Sequence, residues 1–285
     1  MPDKKNTALG KIEVDVALDG KPDLHMMSRS PMKLANAPHI VVAIPIGGKQ
    51  LSSVLNCPEC DKKYNVSSGF VTPAVIPAVF MLHQMNWVAP LNVAISYMFK
   101  TGMLSAEARQ VMTQEAIRTG AEFIFYVDDD TLIPPMGLYT LYNFMRRNPD
   151  AGAVSGVYTT RETPNEPLLY TAHGVGCDWD IPMGPNATPV PIFGAGAGCL
   201  LARVSAIKEW QDEHPGEAIW SDARAIGAEG EGSVMWGHDI KFCRNLNSLQ
   251  KQVFAHGAVL CDHYDMRTNK VFSVPEDAPG LQKGK

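Results

Sequence analysis

Two short runs of continuous apolar residues stand out from an otherwise mixed hydrophobic and polar pattern. They cover Ile40–Ile44 and Phe123–Val127, and such runs are typical of strands buried on both faces of a parallel sheet. Pro45 is expected to end the first strand. Between the runs, Ser105–Thr119 carries an apolar stripe at helical spacing, and Gly120 ends it. A strand, a helix and a buried strand in this order predict a βαβ-like unit.

The pattern beyond residue 130 predicts further alternating elements. Helices are predicted over 137–147, 200–210 and 239–249, and strands over 153–158, 190–193 and 252–261. Pro191 restricts the second of these strands to a sheet edge or a strand start, because proline donates no ladder hydrogen bond. The predicted fold class is therefore α/β and Rossmann-like, with a mixed, mostly parallel sheet flanked by helices.

The chain divides into three regions of different composition. Residues 1–37 are more polar, and the alternation over 12–18 that runs into Asp19-Gly20 predicts a hairpin, with a flexible tail as the alternative. Residues 38–270 carry the α/β pattern and form the main predicted domain. Residues 271–285 are rich in proline, glycine and charge, which predicts a loose C-terminal tail.

The overall composition narrows the class of protein. Hydrophobic residues make up 45% of the 285 residues, as in an ordinary globular protein. No apolar run reaches the ~18–20 residues of a spanning helix, and the N-terminus lacks the apolar core of a secretory signal. We therefore expect a cytoplasmic protein (in the host cytoplasm if it is viral) without a membrane partner. The net charge of −5 argues against a surface that is basic throughout, but not against a local basic groove.

Three consecutive carboxylates, Asp128, Asp129 and Asp130, directly follow the second apolar run. Open α/β sheets bind ligands at the carboxyl ends of their strands, and in an extended backbone Asp128 and Asp130 would share one face. Adjacent carboxylates repel one another unless a cation lies among them, and their oxygens suit Mg²⁺ or Mn²⁺ beside a phosphate. The cluster favours a metal site over the alternative of an acidic surface turn or helix cap.

Two cysteines have the spacing of half a zinc site. Cys57 and Cys60 form a C-x-x-C pair, but no second pair follows in the chain, so zinc binding there is the less favoured interpretation. The other four cysteines are scattered singly and are expected to be reduced, buried thiols.

Several segments, taken in order, resemble GT-A fold glycosyltransferases of the family 2 type. They are VVAIPIGG from Val41, ARQVMTQEAIRTGAEFIFYVDDD from Ala108, SGVYTTRETPNEP from Ser155, FGAGAGCLL from Phe193, GHDIKFCRNL from Gly237 and CDHYD from Cys261. The end of the second segment is similar to the family's D-x-D motif, which grips a nucleotide-sugar diphosphate through a divalent metal. The resemblance covers about residues 38–265 and implies a GT-A-like catalytic domain within residues 38–270.

The resemblance implies a bound Mn²⁺ or Mg²⁺ together with a nucleotide-sugar donor, such as a UDP- or GDP-sugar. It assigns Asp130 and His263 to the cation and Asp128 to the cation or the ribose. It also assigns Arg109 to the nucleotide or its phosphates, and Pro45-Ile46 to the base pocket. From its position alone, His263 could equally be a hydrogen-bonded histidine at a strand end.

The GHDIKFCRNL segment resembles the family's Glu-Asp motif, whose Asp is the general base toward the acceptor hydroxyl. Asp239 occupies that position, and a direct displacement with inversion at the anomeric carbon is then expected. His238 replaces the family's Glu and is an alternative base or acceptor-orienting group. A helix N-terminal carboxylate favoured by the helix dipole is the other interpretation of Asp239.

The GAGAGC segment lacks the spacing of a dinucleotide-binding fingerprint. Gly196 and Gly198 are expected to let a sugar approach the backbone closely because they carry no Cβ, and a tight turn without a ligand is the alternative.

The expected function is metal-dependent transfer of a sugar from a nucleotide-sugar to an acceptor hydroxyl. The compact chain, with its SGVYTTRETPNEP segment, also looks like glycosyltransferases of bacteriophages, some of which modify hydroxymethylated DNA bases, so DNA is one acceptor to test. Two alternatives come from other classes. One is a nucleotidyltransferase acting on a sugar phosphate, weakly suggested by Gly47-Gly48-Lys49. The other is a non-catalytic carbohydrate- or nucleic-acid-binding module.

Overall fold

The computed structural model describes residues 38–46, 52–56, 63–67, 93–221, 223–225, 234–265, 268 and 270–282. The strands are β1 (His39–Ile46), β2 (Ser52–Asn56), β3 (Lys63–Ser67), β4 (Ala94–Thr101), β5 (Phe123–Val127), β6 (Thr131–Leu132), β7 (Ala153–Val157), β8 (Leu169–Ala172), β9 (Val175–Gly176), β10 (Val190–Ile192), β11 (Gly194–Ala195), β12 (Cys199–Arg203), β13 (Ala223–Ala225), β14 (Val234–Trp236), β15 (Val253–Leu260), β16 (Asp262–Asp265) and β17 (Lys270–Phe272). The helices are α1 (Ser105–Arg118), α2 (Gly137–Arg147), α3 (Val204–Glu213) and α4 (His238–Ser248). The predicted N-terminal hairpin and the pair Cys57 and Cys60 lie outside the described residues.

Within this part of the chain, seven strands form a central sheet in the order β10-β15-β7-β12-β5-β1-β4. Strands β4, β1, β5, β7 and β15 run in one direction, and β12 and β10 run in the other. The predicted fold class, α/β with a mixed, mostly parallel sheet flanked by helices, is confirmed. Strand β10, which contains Pro191, lies at the sheet edge, where a missing backbone donor is tolerated.

Both faces of the sheet are covered. Helices α1, α3 and α4 pack on one face, and α2 packs on the other. Residues of β5 alternate between the two layers. Ile124 and Tyr126 face the first layer, whereas Phe123, Phe125 and Val127 face the second. Each such fully buried side chain contributes about 1.5–3 kcal/mol, which explains why β5 is apolar throughout. None of the described helices has the length and apolar character needed to cross a bilayer.

A small sheet in the order β17-β16-β6 lies next to the carboxyl end of β5. Its β6 starts just after the acidic cluster, and β16 pairs with it so that His263 lies opposite Thr131. The backbone N–H of Tyr264 also donates to the carbonyl of Asp130, at 2.8 Å. This pairing brings a late strand of the chain beside the end of the central strand.

The helix predicted over 200–210 is wrong in its first part. Residues Cys199–Arg203 form β12, which lies in the middle of the sheet between β7 and β5, and the helix α3 begins only at Val204. A short apolar run has no periodicity that separates a doubly buried strand from a buried helix, and here the flanking strands decide the conformation.

Pro45 does not end the first strand. Strand β1 continues to Ile46, and Pro45 pairs with Lys100 of β4. The pairing of β1 with β5 stops at Ala43, so at Pro45 strand β1 is paired with β4 only. The missing N–H of Pro45 therefore costs no hydrogen bond to β5.

The C-terminal segment, expected to be loose, is hydrogen-bonded to the rest of the protein as far as it is described. The N–H groups of Gly280 and Gln282 donate to the carbonyls of Trp179 and Met183, at 2.7 and 2.8 Å. Ala278 is buried against the core. A composition rich in proline, glycine and charged residues is thus compatible with a segment of mostly irregular structure that backbone hydrogen bonds hold against the rest of the protein.

Candidate active site

The site forms where the buried strand β5 ends. Strand β5 stops at Val127, and a tight turn follows in which the N–H of Thr131 donates to the carbonyl of Asp128, at 3.2 Å. The backbone is therefore not extended across the acidic cluster. The expectation that Asp128 and Asp130 share one face is wrong, because the turn sends the two carboxylates to different partners.

Asp128 forms an ion pair with Arg109 of α1, whose side chain is only 3% exposed. The same guanidinium contacts Nε2 of His238 and lies 5.4 Å from the centre of the Trp220 ring. Burial alone would lower the pKa of Arg109, but the charges of Asp128 and Asp239 outweigh it and raise the pKa. Arg109 thus joins α1, the end of β5 and the start of α4 through one buried cation.

Trp220 closes this cluster on its core side. Its indole is 2% exposed and stacks on Phe242, with ring centres 4.2 Å apart. The indole N–H donates to the hydroxyl of Thr113, at 3.0 Å, and Thr113 also shares a 2.6 Å hydrogen bond with the hydroxyl of Tyr126. These contacts make Trp220 an anchor of its loop and leave its ring packed inside the protein.

His238 and Asp239 open helix α4, as the sequence predicts for the GHD segment. An Arg side chain only donates, so Nε2 of His238 must be the acceptor in its contact with Arg109. The carboxylate of Asp239 folds back over Gly237, since a Cβ at that glycine would lie 2.8 Å from Oδ1. Asp239 directly follows His238, which contacts Arg109, so it lies beside the residues that hold Asp128, and its charge raises the pKa of both Arg109 and Tyr158.

Asp130 lies on the outer side of the turn. Its Oδ2 accepts a 2.7 Å hydrogen bond from Nη1 of Arg161, and its Oδ1 lies 3.4 Å from Nε2 of His263. The other ring nitrogen of His263 donates to the carbonyl of Thr159, at 2.7 Å. In the neutral ring the lone pair then lies on Nε2, the nitrogen 3.4 Å from Asp130, so the imidazole and the carboxylate can share a cation.

The residues expected to hold a cation are only partly brought together. In the described ranges, no group of three or more His, Cys, Asp or Glu side chains is arranged to hold a metal ion. Asp128 is engaged by Arg109, whereas Asp130 and His263 are 3.4 Å apart, less than twice a metal–ligand bond of ~2.1 Å. One carboxylate and one imidazole fit a Mn²⁺ or Mg²⁺ ion whose other ligands come from a phosphate group and water, with the imidazole better suited to Mn²⁺.

The two glycines of the GAGAGC segment lie against Tyr158. A Cβ at Gly196 would lie 2.0 Å from the Tyr158 hydroxyl oxygen, and a Cβ at Gly198 would lie 2.5 Å from the Thr131 hydroxyl oxygen. The N–H of Gly198 donates to the Tyr158 hydroxyl, at 2.9 Å. Burial raises the pKa of Tyr158 well above its usual value, and the nearby charges of Asp128 and Asp239 raise it further. The missing side chains therefore make room for a tyrosine, and contact with a sugar at these glycines stays a prediction.

The two residues assigned to the base pocket are placed only in part. Pro45 is buried at the end of β1, and Ile46 closes the same strand opposite Thr101. Both lie at the same end of the sheet as Asp128, because β1 and β5 are parallel neighbours.

Three residues that shape this site are not among its predicted catalytic, cofactor or metal residues, namely Tyr158, Arg161 and Trp220. Tyr158 and Arg161 belong to the SGVYTTRETPNEP segment, which follows a predicted strand and so leads to the same sheet edge. That strand-end position was the available signal. Trp220 stands alone in an irregular segment, and no pattern in the sequence connects it with Arg109.

Comparison with known proteins gives matches in structure only. No family model matches the sequence, and no curated protein sequence matches it either. Among solved structures, the chain is similar to A197 from STIV, with 11% identity and a TM-score of 0.43 over 87% of this chain and 98% of that one. It is also similar to the catalytic domain of Drosophila beta1,4-galactosyltransferase 7 in complex with xylobiose, with 13% identity and a TM-score of 0.38 over 77% of this chain.

A further similar structure is that of GalNAc-T7 with UDP, GalNAc and Mn²⁺, with 12% identity and a TM-score of 0.42 over 80% of this chain. The chain spans 65% of the galactosyltransferase domain and 44% of GalNAc-T7, less than two thirds of either. Solved structures similar to this chain thus include GT-A fold glycosyltransferases at low sequence identity.

Proposed function

We propose that this protein is a glycosyltransferase that uses a divalent cation to move a sugar from a nucleotide-sugar to an acceptor hydroxyl. The observation that carries the proposal is the convergence of Asp128, Asp130, Asp239 and His263, from three separate segments, at the carboxyl end of β5. Open α/β sheets bind ligands at this end. The resemblance of the sequence to the GT-A family 2 type, including its bacteriophage members, agrees with this function.

Asp130 and His263 are the proposed cation ligands. The contact of His263 with the Thr159 carbonyl fixes the ring so that Nε2 faces Asp130, as the supporting contacts of metal-bound histidines do. When bound, the cation would offset the negative charge that grows on the leaving diphosphate as the anomeric bond breaks. Asp128 is proposed to reach the ribose with its second oxygen, because Arg109 holds its first.

Asp239 is the proposed general base. In the neutral ring of His238, the only lone pair is on Nε2, and that atom already accepts from Arg109. The Asp239 carboxylate therefore has the better access to the proton of an acceptor hydroxyl, and its negative charge is stabilised by the start of α4. Proton removal by Asp239 during direct displacement gives inversion at the anomeric carbon.

For Arg109, expected to contact the nucleotide or its phosphates, we propose a positioning role instead. Its side chain is buried and its two Nη atoms are used by His238 and Asp128, so it holds these two residues at a fixed spacing. Pro45 and Ile46 lie at the same end of the sheet, and we propose that they line the base pocket. Gly196 and Gly198 are proposed to lie next to the bound sugar.

The donor panel is the experiment that tests the function. The protein is incubated with UDP- and GDP-sugars and Mn²⁺, and the products are separated. Slow release of the nucleoside diphosphate is expected even without an acceptor, whereas release of pyrophosphate would indicate nucleotidyl transfer. The variant Asp130→Asn is expected to lose on the order of 10²–10³-fold in this rate, because it removes the charge that holds the cation.

The matched control is Asp150→Asn, an exposed carboxylate in the turn before β7, which is expected to keep the wild-type rate. Full metal-dependent activity in Asp130→Asn would overturn the cation assignment, and no product from any donor would favour a binding module. With an active donor, DNA containing hydroxymethylated bases is offered beside unmodified DNA. Sugar transfer to the hydroxymethylated DNA alone would identify the acceptor class that the bacteriophage resemblance suggests.

A further inference from the structure

Arg161 lies on a short loop that is closed at its base. The loop runs from Thr159 to Pro167, which form an isolated antiparallel bridge. Inside it, the N–H of Thr160 donates to the carbonyl of Glu166, at 2.8 Å, and the N–H of Glu166 donates to the hydroxyl of Thr160, at 3.0 Å. The base of this loop also supplies the Thr159 carbonyl that orients His263, so the loop and the proposed cation ligands form one unit.

The far side of the loop is held as well. The side-chain amide of Asn165 donates to the carbonyl of Ser273, at 2.7 Å, and the indole N–H of Trp179 donates to the carbonyl of Asn165, at 3.1 Å. The backbone that carries Arg161 is therefore tied to two other segments. Its side chain, by contrast, is 42% exposed.

The guanidinium of Arg161 uses a small part of its bonding capacity. Among the described residues, its one partner is Asp130, reached through Nη1 at 2.7 Å, whereas a guanidinium carries five N–H donors. Only Arg161 is exposed in this ion pair, and ion pairs with a solvent-exposed partner contribute only about 0–1 kcal/mol, so the guanidinium can exchange Asp130 for a stronger partner. A phosphate group is such a partner, because two of its oxygens match the guanidinium fork.

A cation at Asp130 would change this balance in a definite direction. It would compete with Arg161 for the carboxylate and repel the guanidinium, while the diphosphate that arrives with it attracts the guanidinium. We propose that Arg161 is a diphosphate-binding residue, which leaves Asp130 when the cation binds and donates to the phosphate oxygens instead. This inference rests on the proposed function and adds a specific contact to it.

The exchange makes Arg161 act in opposite directions on two binding steps. Without a diphosphate, Arg161 competes with the cation, so the variant Arg161→Gln should bind Mn²⁺ up to about fivefold more tightly than the wild type. With Mn²⁺ present, the same variant should bind inorganic pyrophosphate about tenfold more weakly, because a charged donor is missing. Arg161→Lys keeps the positive charge but loses the paired donors of the guanidinium. Its affinity for pyrophosphate should lie between those of the wild type and Arg161→Gln.

Both steps can be measured on the full chain without any sugar donor. The signal of free Mn²⁺ in electron paramagnetic resonance follows Mn²⁺ binding, and calorimetry follows pyrophosphate binding at fixed Mn²⁺. The matched control is Arg118→Gln, an exposed arginine paired with Glu115 on α1, which should leave both affinities unchanged. Opposite shifts in Arg161→Gln support the exchange.

Two results would overturn the role of Arg161 without affecting the proposed function. They are shifts of the same sign in both steps, which indicate a structural role, and affinities equal to those of Arg118→Gln. If the wild-type protein binds neither Mn²⁺ nor pyrophosphate, the cation assignment in the proposed function fails and the exchange fails with it. A wild type that binds both, with an unaffected variant, leaves the proposed function standing and removes only the role of Arg161.

Discussion

Two arginine–aspartate pairs lie at the end of the same strand in different surroundings. In the pair of Arg109 and Asp128 the side chains are 3% and 28% exposed, and Arg109 also contacts His238 and Trp220. In the pair of Arg161 and Asp130 they are 42% and 16% exposed, and Arg161 has no further partner in the described chain. Desolvation makes a buried pair costly to break, whereas solvent screening makes an exposed pair cheap to exchange.

Because of this difference in burial, one arginine–aspartate pair is rigid and the other can exchange partners. The inner pair joins α1, β5 and α4, and so fixes where Asp239 stands relative to the strand end. The outer pair leaves a carboxylate that can change its partner. The proposed function uses both kinds of pair, because the proposed base Asp239 has to be held in place while a charged donor enters beside Asp130.

The substitution Arg109→Met tests the rigid pair and should have the largest effect. It leaves Asp128 without its buried counter-charge, so the free energy of unfolding should fall by about 3–5 kcal/mol in urea titrations. The control Arg118→Met removes an exposed arginine from the same helix and should leave the urea midpoint unchanged. Equal midpoints for the two variants would remove the contrast between buried and exposed pairs.

The substitution Gly196→Ala tests Tyr158, whose surroundings include residues of both halves of the site. The ring of Tyr158 is 5.6 Å from that of His263, and its pKa responds to Asp128. A methyl group at Gly196 would collide with the Tyr158 hydroxyl, 2.0 Å away, and should cost about 1–3 kcal/mol of stability.

Gly176→Ala is the control for this substitution, because the nearest atom to its Cβ is 3.9 Å away. Thermal unfolding of the two variants measures the difference. A stable Gly196→Ala variant with reduced donor turnover would indicate that Tyr158 moves to accommodate the methyl group and that the glycine is needed for contact with a ligand.

The exchangeable pair should give the smallest effect on stability. A double-mutant cycle with Arg161→Gln and Asp130→Asn, measured by urea unfolding, should yield a coupling of about 0–1 kcal/mol. The coupling should shrink further in ~1 M salt, because the guanidinium of Arg161 is open to screening. A coupling above about 2 kcal/mol would show that this pair is also structural, and that Arg161 does not leave Asp130 easily.

The central strands could be predicted because burial on both faces leaves a local signature. Strands β1 and β5 are continuous apolar runs, and both lie between neighbours on each side. Strand β4 was not predicted, since it forms a sheet edge with half-buried residues in a mixed sequence, AISYMFKT. Strand β12 was predicted as a helix, because its apolar run is too short to show a period.

The positions of the site residues were predictable, but their pairing was not. Carboxyl ends of strands meet at one sheet edge, and the sequence pattern therefore brings Asp128 and Asp130 to it. Which partner each carboxylate meets depends on the turn that begins at Asp128. A single backbone hydrogen bond, from the N–H of Thr131 to the carbonyl of Asp128, closes this turn. That choice rests on contacts with residues far away in sequence, such as Arg161 and His263, and no local pattern encodes it.

The pairing of β16 with β6 has a consequence for biosynthesis. His263 reaches Asp130 only after the chain has been made past residue 263, although Arg109 and Asp128 have emerged more than a hundred residues earlier. A nascent chain can therefore form the inner ion pair with α1 and β5 alone, while the outer ion pair gains its histidine neighbour only when β16 has been synthesised. The two proposed cation ligands, Asp130 and His263, therefore come together only after residue 263 has been synthesised.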